Sequence, residues 1–302
     1  MDKYPRDMQG YGQHPPNPNW PNKARIALQF VVNYEEGGEN NVLDGDPHSE
    51  TFLSEIIGAK AYSDRHMSME SLYEYGSRAG FWRIYRLFQQ HAIPVTAFAV
   101  SKAMQRNPEV VRAMLDAQWE IATHGMRWID YQTMPIEQEC QMMQDTIELH
   151  QQLTGKKPAG WYTGRTSPNT LNLVSQRNDI VYCADSYADD LPYYDTQYQK
   201  PILMVPYTLD TNDMRFATQQ GFNTAEHFYT YLKDAFDVLY QEGATQPKML
   251  SIGLHCRLIG RPARMAGLKR FIEYIQQFDH VWCCTREQIA RHWLEHFPYD
   301  GA

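Results

Sequence analysis

The chain carries a small set of polar residues that each close or follow a short apolar run: Glu35 and Glu36, His124, Arg165, Asp185, His255, and the pair Asp210 and Asp213. Carboxylates in such places can take a proton from water, and histidines can deliver one near neutral pH. An arginine among them can hold a carboxylate ionised and fixed in orientation. Singly, each has a structural explanation: a hydrogen-bonded core histidine, a surface ion pair, an N-cap. Their recurrence at equivalent places points instead to one shared site.

The first run sets the pattern. Ile26, Ala27, Leu28, Phe30, Val31 and Val32 have strand length and β-branched members, and Asn33, Glu35, Glu36 and a glycine pair follow at once. Two adjacent acids at the tip of a buried strand are costly unless they are hydrogen-bonded, paired or employed. Further strands are predicted at 94–100, 119–123, 159–163, 180–184, 202–208, 249–254 and 281–284. Helical spacing alternates with them. It covers 77–90, a stretch opened by Asn107 and Pro108, Pro135 to Gly155, a turn after Ser167-Pro168, Thr224 to Gly243, and 262–278. A last helix begins at a Thr285/Gln288 capping box. Residues 37 to about 71 show no strong period and read as a long lid, binding loop or interface element.

About eight strand–helix units, with no Gly-x-Gly-x-x-Gly or P-loop after the first strand, favour an α/β fold of the parallel (β/α) barrel kind over an open doubly wound sheet. In a barrel, chemistry gathers at the C-terminal strand ends, where this chain puts its polar set. No linker or repeat divides the sequence, so a single domain over 1–302 is expected. An extended arm over 1–25 precedes the barrel, where Pro15, Pro16, Pro18 and Pro21 preclude regular pairing.

A hydrophobic content of 43% and a net charge of -8 describe a globular protein without the basic footprint of a nucleic-acid binder. No apolar run is long enough to cross a bilayer, and the N-terminus lacks the apolar core of a signal peptide; a cytoplasmic protein is expected. Five cysteines without a Cys-x-x-Cys pair suggest neither a disulfide framework nor a cysteine zinc site.

The segments that carry the polar set resemble the polysaccharide deacetylases (NodB homology, carbohydrate esterase family 4). Asn33-Tyr34-Glu35-Glu36-Gly37 stands where that family has Thr-Phe-Asp-Asp-Gly, and His124-Gly125-Met126-Arg127-Trp128 stands for His-[Ser/Thr]-x-x-His. Arg165 matches the arginine of the third motif, Leu254-His255 the histidine motif, and Asp185 or Asp190 the aspartate of the fourth. Within the family, the likeness is to the PuuE-type allantoinase branch and runs nearly end to end. It is carried by Tyr4-Pro-Arg-Asp, the Glu-Glu-Gly-Gly-Glu run, His66-Met-Ser-Met-Glu, Gly160-Trp-Tyr-Thr-Gly-Arg and Leu254-His-Cys-Arg-Leu-Ile-Gly-Arg-Pro.

This resemblance implies a distorted (β/α) barrel, a homotetramer, and opening of the allantoin ring to allantoate in urate breakdown. Glu35, in the place of the family's base, is expected to activate water, with Glu36 the alternative. His255 would be the acid or the oxyanion donor, with Asp185 or Asp190 setting its tautomer. Glu36 and His124 would bind substrate, and Trp128, Tyr131, Trp161 and Tyr162 would wall the pocket. Cys256 is better explained as a packed thiol than as a nucleophile. The sugar deacetylases hold a divalent metal with an Asp and two His. Here both acids are Glu and the second His is Trp128, so a metal-free reaction is expected; the alternative is an ion such as zinc at Glu36 and His124. A metal-dependent N-acetyl sugar deacetylase and an inactive binding protein on the same barrel are the competing functions.

Overall fold

The computed structural model describes residues 4–300, so the first three residues of the arm and the last two of the chain lie outside the described residues. Nine strands form one sheet: β1 (Ile26–Tyr34), β2 (Val95–Ala99), β3 (Glu120–Thr123), β4 (Gly160–Trp161), β5 (Tyr182–Cys183), β6 (Tyr193–Asp195), β7 (Ile202–Met204), β8 (Lys248–His255) and β9 (Val281–Cys283). Their order is β6-β7-β5-β4-β3-β2-β1-β8. β2 pairs with Phe30–Tyr34 of β1 and β9 with Ile26–Leu28, while β8 runs along the first eight residues of β1. All nine residues of β1 are therefore buried, which is why the run is almost continuously apolar.

All eight expected strands are present, and one more. Tyr193–Asp195 forms an antiparallel edge on β7, where a wholly parallel sheet was expected. The sheet curls into a half-barrel without closing through a strand pair. Instead, the segment after β7 meets β8 at one parallel bridge, Asn212 to Gly253, with the Thr211 hydroxyl donating to the Ser251 carbonyl beside it. This is the distorted barrel expected, with its seam at that bridge.

Nine helices surround the sheet among the described residues: α1 (Met67–Tyr75), α2 (Phe81–His91), α3 (Ser101–Arg106), α4 (Pro108–Asp116), α5 (Ile136–Thr154), α6 (Thr170–Ser175), α7 (Ala225–Glu242), α8 (Pro262–Ile275) and α9 (Arg286–His296). α3 was not foreseen, because six residues are too few to establish a period. α1 begins inside the stretch 37–71 expected to be a lid, binding loop or interface element, and it runs into α2 through a π turn at Gly76–Gly80. Both glycines answer close approaches. A Cβ at 76 would collide with the Glu36 carboxylate, and one at 80 with the carbonyl of Cys256. The turn thus lets a helix lie directly on the two loops that carry the polar set.

One core fills the space between β1, β2, β8 and the helices, with Phe30 at its centre between Phe88 and Phe271. At the base of the barrel the filling is polar. Buried Arg286 donates to Gln29 Oε1, Ser251 Oγ and the carbonyls of Val205 and Pro206. Glu120 accepts from Thr96 Oγ1, Tyr182 OH and the Glu287 amide. The arm seals this end, with Trp20 packed against Trp282, His292 and Trp293 and its Nε1 donating to the Lys248 carbonyl.

Candidate active site

The C-terminal ends of β1, β3 and β8 bring Glu35, His124 and His255 to one point. Glu35 Oε1 lies 3.3 Å from His124 Nε2 and 3.5 Å from His255 Nε2. Contacts this loose suit groups that tighten around a bound molecule. The other oxygen of Glu35 accepts from Arg257 Nη2 at 2.7 Å. Arg257, wholly buried, also lies 3.4 Å from Glu36 Oε1, donates from Nε to the Leu53 carbonyl, and rests on the Tyr73 ring.

These neighbours decide the charges. Burial alone would raise the Glu35 carboxyl; Arg257, then His255 and His124, overcome it and hold Glu35 well below the usual carboxylate range. Burial alone would lower the His255 imidazolium, but Glu35 and Asp213 raise it to about 9. The site at neutral pH therefore pairs an ionised carboxylate with a protonated histidine. Glu36 is pushed the other way, raised by burial that Arg257 only partly offsets. His124 Nδ1 has no hydrogen-bond partner among the described residues. That favours the tautomer carrying its proton on Nε2, facing Glu35.

Asp213, at the start of a short 3-10 turn, orients His255. Its Oδ1 accepts from His255 Nδ1 at 2.6 Å, and its Oδ2 accepts from the amides of His255 and Ile259. The Asn212–Gly253 bridge places this turn beside β8. Neither expected aspartate does this work. Asp185 accepts from the amides of Thr163 and Gly164, and burial raises its carboxyl to about 6. Asp190 is exposed and faces a different cavity of about 500 Å³ behind residues 206–211. That larger cavity holds aspartates and tyrosines but no acid–base pair.

Glu35, His124 and His255 open onto a cavity of about 230 Å³, walled by Trp128, Tyr162, Tyr187, Tyr207, Phe52 and Leu53. It falls below the ~300–1,000 Å³ of pockets for drug-sized ligands, as suits a small substrate. Of the four aromatics expected to wall a pocket, Trp128 and Tyr162 line this cavity and Trp161 and Tyr131 do not. Trp161 Nε1 is spent on Thr163 Oγ1, and its ring packs with Met143, Ile147 and Leu173. Tyr131 bonds the Arg127 carbonyl. Arg165 lines the mouth, stacked 3.9 Å above Trp128 and 4.0 Å from Glu50, and holds no catalytic carboxylate. Glu36 does not face this cavity; it faces another, of about 310 Å³, with Glu39 and Arg106. Cys256 is fully buried and its thiol is raised well above the usual range by burial, as befits a packed side chain.

Sequence reasoning gave no role to Arg257, Asp213 or Tyr207. The signals were present: an arginine two residues after His255, and an aspartate already counted among the strand-end acids. Tyr207 OH accepts from Asn33 Nδ2 at 2.9 Å, which leaves its own hydrogen free to donate into the cavity.

A family model for polysaccharide deacetylase matches residues 64–178. A Schizosaccharomyces pombe protein classed as a polysaccharide deacetylase is 45% identical, over 98% of this chain and 99% of its own. This chain belongs to the polysaccharide deacetylase family. Among solved structures, a Pseudomonas aeruginosa protein assigned to the same family is 61% identical, with a TM-score of 0.97 over 98% of this chain and 100% of that one. PuuE allantoinase is 60% identical, with a TM-score of 0.97 over 98% and 99%.

The resemblance implies a divalent ion in the sugar deacetylases, and the pair expected to hold one here, Glu36 and His124, does not form a site. Glu36 and His124 face different cavities, a tryptophan stands at the third ligand position, and a guanidinium lies against both glutamates. Among the described residues, no three His, Cys, Asp or Glu are grouped to hold an ion.

Proposed function

We propose that this member of the polysaccharide deacetylase family is an allantoinase that hydrolyses the hydantoin ring of allantoin to allantoate, without a divalent metal. The observation that carries the reading is the small aromatic cavity on which Glu35 and protonated His255 converge. The 60% identity to PuuE allantoinase across the whole chain supports it.

Ring opening is cyclic amide hydrolysis. Water adds to a ring carbonyl as negative charge grows on the carbonyl oxygen, and in the same step the C–N bond breaks with protonation of the nitrogen. Glu35, ionised and 3.3–3.5 Å from both imidazoles, takes the proton of the attacking water. His255, held by Asp213, faces the reacting centre with Nε2–H and delivers its proton to the leaving nitrogen. The Tyr207 hydroxyl, which burial keeps protonated, and the Arg165 guanidinium are the remaining donors for the oxyanion and the ureido group. The aromatic walls suit a flat, uncharged ring edged with N–H and C=O groups. The resemblance to the PuuE-type branch extends the proposal to a homotetramer in the cytoplasm.

The test is incubation of the purified protein with allantoin, hydantoin, dihydrouracil and an N-acetylglucosamine oligomer. Ring opening of allantoin without acetate release is expected. Acetate release from the oligomer would replace this reading with sugar deacetylation, and silence on all four would point to a binding protein.

A further inference from the structure

The barrel mouth contains a buried cation that cannot touch substrate. Arg257 lines neither the catalytic cavity nor the one behind it, yet its side chain is inaccessible to solvent and spans both acidic residues of β1's end. Each face of the guanidinium is accounted for. Nη2 meets Glu35 Oε2 at 2.7 Å, Nη1 lies 3.4 Å from Glu36 Oε1, and Nε is bonded to the Leu53 carbonyl. The plane rests 4.1 Å from the Tyr73 ring centroid, with Trp128 at 5.3 Å.

Arg257 and Glu36 also hold one another. The Arg257 amide donates to Glu36 Oε1, while Glu36 Oε2 accepts from the Glu35 amide. Around this cluster stand His124 and His255 against Glu35, Asp213 behind His255, and Glu39 and Glu50 beside the Arg257–Tyr73 stack.

We infer that Arg257 is a positioning residue that acts through Glu35, a built-in cation that locks one Glu35 oxygen and leaves the other, Oε1, as the single oxygen presented to His124, His255 and the attacking water. Glu36 is the back half of the clamp and not a substrate ligand. A fixed guanidinium in this position does from within the chain what a bound divalent cation does between acidic ligands. A planar fork suits two carboxylates, and a lysine ammonium does not reproduce it.

The inference rests on the hydrolytic reading for its kinetic arm, and a second arm is independent of substrate. In the first, Arg257→Ala is expected to lose about a hundredfold in kcat with KM little changed, since a base displaced by an ångström costs about that much. Methylguanidinium added in solution should restore roughly tenfold of the loss, and Arg257→Lys should fall between the two forms. In the second, calorimetry with methylguanidinium should detect binding to Arg257→Ala but not to the unaltered protein, and Arg257→Ala/Glu35→Gln should bind it weakly or not at all. If Arg257→Ala does not fold, Arg257→Ala/Glu36→Gln, which removes the second uncompensated carboxylate, takes its place in both arms. A folded variant with unaltered kcat overturns the inference, as does one that neither binds methylguanidinium nor is rescued by it. If the unaltered protein does not open allantoin, the proposed function fails, while the calorimetric arm still decides this inference.

Discussion

Asp213 Oδ1 and His255 Nδ1 lie 2.6 Å apart in a buried pair, and both oxygens of that carboxylate are used on the segment that bears the histidine. The imidazolium is raised to about 9 by Glu35 and Asp213 against the effect of burial. A group raised on folding stabilises the native state fully below its unfolded value, and that stability is lost as pH rises through the folded value. For His255 the window runs from its ordinary range near 6.5 up to about 9. The basic limb of kcat/KM for allantoin is expected near pH 9 for the same reason. In Asp213→Asn it should move toward neutrality, and thermal stability at pH 7 should fall. An unmoved limb in a folded Asp213→Asn protein would take the proton donor away from His255.

Glu35 faces both histidines with one oxygen, so the acid and the base act in one step. Glu35→Gln keeps the size of the side chain but removes the base, and kcat should drop about a hundredfold or more. His255→Ala should do the same. The double variant should lose far less than the product of the two losses, because each single change already disables the shared step. Independent, multiplicative losses measured by steady-state kinetics would mean that the two residues serve different steps.

Arg257 lies against both glutamates, and Trp128 occupies the third ligand position, which makes the mouth a poor holder of a divalent ion. Allantoin hydrolysis should survive extended chelation and dialysis, and added zinc, manganese or cobalt should not raise it. Metal analysis of the purified protein accompanies the assay. Activity lost on chelation and restored by one equivalent of an ion would reinstate a metal-dependent mechanism.

The two tryptophans near the site separate binding from stability. Trp161 is packed among Met143, Ile147 and Leu173, so Trp161→Ala should cost about 3–5 kcal/mol of stability with little effect on KM. Trp128 lines the cavity beneath Arg165, so Trp128→Ala should raise KM for allantoin several-fold. Denaturant melts and steady-state kinetics distinguish the two. The reverse pattern would put Trp161 in the pocket wall.

Most of the barrel could be read from the chain because its central strands are buried on both faces and write apolar runs. β6 could not. Its three residues, Tyr193–Asp195, are half-buried at an edge and carry no such run. Glu35, His124 and His255 were legible because strand ends in a barrel share a mouth. Their partners were not, because partner choice depends on where loops return. Asp213 reaches His255 through the bridge from Asn212 to Gly253 and the Thr211 hydroxyl on the Ser251 carbonyl, contacts between segments that no local spacing records. The displacement of Arg165 has a similar origin. Its place beside Glu35 is filled by Arg257, on the loop after β8, the strand that flanks β1 on the side away from β2.

The π turn at Gly76–Gly80 gives the barrel mouth a rigid ceiling of fixed height. Hydrogen atoms at 76 and 80 set that height, the first above the Glu36 carboxylate and the second above the Cys256 carbonyl, one residue from His255 and one from Arg257. Any longer side chain on this face of the helix would press on the clamp and on the proton donor together. The two halves of the chemistry, delivered by β1 and β8, thus share a single mechanical reference in a helix that contributes no reacting atom.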